Sequence, residues 1–161
     1  MRRHHGPETR AQALQTLYQQ SAKAGDTAGL YRALSRALEV DPANLTVQNN
    51  FAQISLLLGA DVDRARKIAQ ELYAKEPTNA AYTSTYAYSQ YLGGDLSAAL
   101  KTMSDLNEEQ LRNPAIAAYH GVLLAAAGQK DKAREFLQLS AGAYLLPEER
   151  ELIAKAEKSL Q

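Results

Sequence analysis

Apolar residues recur along this chain in pairs of helical runs, and a glycine divides each pair. Leu14, Leu17 and Tyr18 mark a first helix from about Glu8 to Ala24, and Gly25 follows as a stop. Asp26 and Thr27 then start a second run whose inward stripe is Leu30, Tyr31, Leu34, Ala37 and Leu38, closed by Asp41-Pro42. The next unit repeats the arrangement. Phe51, Ala52, Ile54 and Leu58 precede Gly59, Ala65, Ile68, Ala69 and Leu72 follow it, and Pro77 closes the unit 35 residues after Pro42.

The spacing is regular enough to count. Gly25, Gly59, Gly94 and Gly128 lie 34, 35 and 34 residues apart, and Ala65, Ala99 and Ala133 lie 34 and 34 apart. One additional residue between Gly59 and Ala65 accounts for the single 35 and should only lengthen that turn. Two helical runs per period of this length predict stacked helix-turn-helix repeats. The repeats run over approximately 11–44, 45–78, 79–112 and 113–146, within one domain spanning 8–161. A last helix over 147–160 should cap the stack, with Leu152, Ile153, Ala156 and Leu160 inward and Glu148, Glu149, Arg150, Glu151, Lys155 and Lys158 in water. Residues 1–7 show no periodicity and are expected to be a flexible segment.

Composition narrows the function classes. Eighteen Lys and Arg balance eighteen Asp and Glu, so the chain lacks the basic field that nucleic-acid binding usually needs. No cysteine is present, which excludes disulfides and thiolate chemistry. The chain shows no signal peptide and no long apolar run, so a soluble protein without membrane insertion is expected, cytoplasmic if the chain is complete. No phosphate loop, serine elbow or metal-binding histidine pair occurs at a working spacing, and neither enzyme activity nor a cofactor is expected. His120 beside Gly121 reads as a packing histidine. His4 and His5 form at best a loose metal site. Asp61 and Asp63 read as helix-start residues, since the calcium-loop pattern is missing.

With Leu17, Gly25, Leu34, Ala37 and Pro42 in the first unit, and His120-Gly121, Leu124, Gly128, Ala133 and Leu137 in the fourth, the chain resembles the tetratricopeptide repeat family over roughly Gln12 to Ala143. Small residues Ala52, Ala87 and Gly121 stand where the two helices of a unit approach closely, but Tyr18 occupies that place in the first unit. The resemblance implies an all-α fold, a right-handed α-solenoid of about four repeats plus a C-terminal capping helix, whose first helices line a concave groove. It implies a non-enzymatic interaction module or scaffold that holds a peptide segment of a protein partner. Aligning the units places Gln15, Gln19, Asn49, Gln53, Ser84, Tyr88, Tyr91, Ala118 and Val122 on the groove.

This lining is uncharged, which suits main-chain hydrogen bonds and apolar anchors. Asn50 matches one asparagine of the clamp by which some family members grip acidic chaperone tails. Gln15, Gln19, Ala81 and Thr85 stand where its other groups would be, so that ligand is not expected. Tyr82 and Tyr86 read as packing between units, whereas Tyr88 and Tyr91 fit packing and peptide anchoring equally well. Two alternatives remain. The strip Leu56, Leu57, Tyr91 and Leu92 could support self-association, as a homo-oligomer or within a larger protein, and the family also contains small secretion chaperones.

Overall fold

The computed structural model describes the backbone from Pro7 to Gln161, so His4 and His5 lie outside the described residues. Those residues form ten α-helices: α1 (Pro7–Ala24), α2 (Thr27–Val40), α3 (Leu45–Leu58), α4 (Val62–Lys75), α5 (Ala80–Leu92), α6 (Leu96–Met103), α7 (Glu108–Leu111), α8 (Pro114–Ala126), α9 (Lys130–Leu139) and α10 (Pro147–Ser159), with a 3-10 turn at Ser140–Gly142.

The glycine period has a backbone cause. Gly25, Gly59, Gly94 and Gly128 adopt φ of 66°, 68°, 88° and 76°, the left-handed conformation that ends a helix and that residues with a Cβ adopt only at a cost. The longer turn after Gly59 contains Asp61 at φ 51°, the one non-glycine residue with positive φ among the described residues. The extra residue is thus absorbed by a second left-handed position. Helix starts follow the same economy of local signals. The Asp26 carboxylate accepts from the Gly29 N–H at 2.9 Å, and the Asp95 carboxylate accepts from Ala98 N–H at 2.9 Å.

Apart from α6 and α7, helices adjacent in the chain pack on one another, and α3, α5 and α8 additionally meet in sequence. The alanines of the second helices, Ala65, Ala99 and Ala133, are fully buried, as are Ala52 and Ala87. A Cβ on Gly121 would stand 2.8 Å from the Leu137 side chain, so α8 and α9 touch where only hydrogen fits. Residues on α2, α4, α6 and α9 divide into one buried stripe and one wet face. By contrast, nine of the thirteen residues of α8 are buried. A helix buried around most of its circumference belongs to the interior.

Two expected placements differ. Leu17 is 49% exposed, because α1 rests on α2 and Leu14 and Tyr18 take the side facing it. Glu149, expected in water, is only 7% exposed, whereas Ile153, Ala156 and Leu160 are buried as expected.

Candidate functional site

The chain's own C-terminal segment covers one side of α3 and α8, which is thereby their inner face. Directly after the 3-10 turn, the segment meets the turn between α1 and α2. There the Tyr144 hydroxyl donates to the Ala22 carbonyl of α1, Pro147 lies beside Gly25, and the Thr27 hydroxyl donates to the Glu148 carboxylate. Leu146 joins the apolar cluster of Leu30, Leu34, Leu38, Phe51 and Ile54. From this point α10 returns along α8, and its last turn meets α9, where the Arg134 guanidinium donates to the Leu160 carbonyl at 2.7 Å.

Glu149 is the polar centre of this contact. Its Oε1 accepts from the Tyr119 hydroxyl at 2.6 Å and from Gln53 Nε2 at 3.3 Å, while its Oε2 accepts from the Leu146 N–H at 2.8 Å. Gln53 Nε2 also donates to Tyr119 Oη at 3.0 Å. Among the described residues no basic side chain pairs with the carboxylate. Three donors and the positive end of α10 hold it in place of a cation.

Burial and the nearby carboxylate act together on the neighbouring phenols. Tyr119 is raised well above its ordinary value, by burial first and then by Glu149. Tyr88 is pushed up to about 12, by burial first, then by Tyr91 and Glu149. Both therefore stay protonated at neutral pH, and Tyr119 remains a donor. The Tyr88 ring meets the Tyr119 ring edge-on at 5.2 Å and Tyr91 at 6.5 Å.

The structure distributes the groove candidates over three environments. Gln53, Tyr88 and Tyr91 come together around Tyr119, with Tyr91 half-buried and Tyr88 4% exposed. Asn49, Ser84 and Val122 are buried beside them on the inner helices, and Ala118 with them. Ser84 turns its hydroxyl to the Ala81 carbonyl at 3.2 Å, and Asn49 Oδ1 has no partner. Gln15 and Gln19 are exposed on α1. Leu56 is likewise spent within the chain's own core, leaving Leu92 at 40% exposure as the open member of the strip considered for self-association.

A concavity lies between α1 and α3 over α2. It encloses about 430 Å³ and is lined by Leu14, Gln15, Tyr18, Ala37, Val47 and Asn50, among others. It exists because α1 does not close on α3 as α3 closes on α5. The Tyr18 ring, in the place that Ala52, Ala87 and Gly121 fill elsewhere, forms part of its wall. Compared with models of known protein families the chain matches none, and no curated protein matches it either.

Tyr119 and Glu149 were missed by sequence reasoning. Pro147 at the first helical position and Glu149 at the third were visible as a helix start. That signal fixes the carboxylate on its own backbone N–H but says nothing of burial. His120, expected to pack, is half-buried with its ring edge-on to Phe136 at 4.6 Å.

Among the described residues no three acidic or histidine side chains gather to hold a metal ion, and no helix is long and apolar enough to cross a membrane.

Proposed function

We infer that the chain is a non-enzymatic protein-interaction module of the tetratricopeptide type, a right-handed stack of four helix pairs with a C-terminal helix folded over its inner side. It takes a peptide segment of a partner protein. The reading rests on the 34-residue period, on the left-handed glycines that give the period its backbone cause, and on the successive contacts of first helices.

The observation that carries the binding role is the cleft between α1 and α3. An apolar floor including Leu34 and Ala37, with the amides of Gln15, Asn44 and Asn50 on its rim, matches an extended peptide that offers main-chain hydrogen bonds and one apolar side chain. Gln15 is the groove candidate that lines it. Filling the floor tests the reading. Ala37→Phe and Asn50→Arg chains, confirmed to keep native helicity, should lose proteins that the native chain retains from a source-cell lysate. Identical retention by all three would move the binding site off the cleft.

A further inference from the structure

The inner face satisfies its polar groups only in part, and it does so through a segment that begins outside the helical stack. Gln53 and Tyr119 spend their donors on Glu149, which arrives from 96 and 30 residues further along the chain. Asn49 is one turn before Gln53 on α3 and therefore shares its side of the helix. It is 5% exposed, and its Oδ1 has no partner. A buried amide oxygen left without a donor is costly, so this side of α3 has a hydrogen bond still to be made.

The occupant also shows what the surface selects. Leu146 enters the Leu30, Leu34 and Phe51 cluster, Pro147 covers Gly25, and Glu149 takes the amide and phenol donors. Each recognised group lies within the first turn of one helix. The rest of α10 presents a polar outer side, with Arg150, Glu151, Lys155 and Lys158 exposed. The segment is joined to α9 by a short link, Ser140 to Leu145, whose residue Ala143 is extended at φ −94° and ψ 150°. Contacts of this kind do not depend on which chain supplies the helix.

We propose that the inner face is a recognition site for a helix start of the form apolar-Pro-x-Glu on a partner protein, which Leu146 to Glu149 occupies in cis, so that the partner binds by displacing α10. The proposal rests on the interaction-module reading for the existence of a partner. Leu34 borders both this site and the cleft between α1 and α3, but Gln53, Tyr119 and Glu149 lie outside the cleft, so loss of lysate capture there and indifference to the peptide's glutamate are separate results. A partner that adds a donor opposite Asn49 competes best, because it supplies the hydrogen bond the cis segment omits.

The probe is a fluorescein-labelled synthetic peptide of residues 143–161, titrated by anisotropy against the full chain. A second titration uses a Tyr144→Ala, Leu146→Ser chain, which loosens the cis segment and leaves the inner face intact. The peptide should bind this variant at least tenfold more tightly than the native chain, because less of the site is already occupied. A Glu149→Ala peptide should bind at least tenfold more weakly. Equal affinity for the two chains, or indifference to the peptide's glutamate, overturns the proposal. Should the variant lose its helicity, amide hydrogen exchange of the native chain decides. Exchange of α10 ahead of α8 supports displacement, and exchange of both in one global step overturns it.

Discussion

α1 and α10 are both end helices, and their fates differ for a reason that helical pattern does not express. α1 is 18 residues long, and none of its described side chains is fully buried. α10 has 13 residues and buries Glu149, Ile153 and Ala156. The shorter helix is held better because it has three helical neighbours, α3, α8 and α9, whereas α1 rests on α2. An apolar stripe stabilises only as far as other elements cover it, so the number of neighbours decides what an end helix contributes.

Truncations at the two ends should separate them most strongly. Ile153→Ala removes buried methyl groups from beside α8 and should cost about 3 kcal/mol. Chemical denaturation checks this, and a loss under 1 kcal/mol would mean that α10 is only loosely attached. Next in size, Glu149→Ala leaves the buried Tyr119 hydroxyl without its acceptor and Gln53 Nε2 with Tyr119 Oη alone, for a loss of about 2 kcal/mol. An unchanged midpoint would show that water replaces the carboxylate easily.

His120 sharpens the contrast by titration. Burial, the leading cause, holds its imidazole below the ordinary 6.5, against the smaller upward pull of Glu108. The unfolded chain therefore takes up the proton first as pH falls. Stability from this group is present above pH 6.5, declines from there to the lower folded-state value, and then levels off. His120→Gln should flatten that part of the pH profile, and parallel profiles for the two chains would contradict the stated sign. Smallest of all, Leu17→Lys on α1 should shift stability by no more than about 0.5 kcal/mol. A larger loss would show that the exposed side of α1 is covered in solution.

What could be read from the sequence was whatever has a local cause. The four left-handed glycines, the fully buried alanines and the close approach at Gly121 each follow from one residue's size or backbone freedom. Tyr18 was legible as an exception, and it borders the cleft where α1 stands off from α3. The closed inner face was not legible. Whether Tyr88 and Val122 face a ligand or another helix depends on how helices distant in the chain pack, which the period leaves open. Glu149 was assigned to solvent because a carboxylate is ordinarily there. Its burial needs donors from α3, from α8 and from the backbone before α10, and no single stretch of sequence contains all three.

The bond between Thr27 and Glu148 joins residues 121 positions apart, and Gln53 waits 96 positions for Glu149. At a synthesis rate of roughly 5–20 residues per second, Glu149 follows Gln53 by about 5–20 s. The early helix pairs are thus made, and free to assemble, well before their inner cover exists. During that interval Thr27 and Gln53 lack their C-terminal acceptors, so the nascent chain carries donors open to whatever the cell offers that the finished molecule keeps for itself.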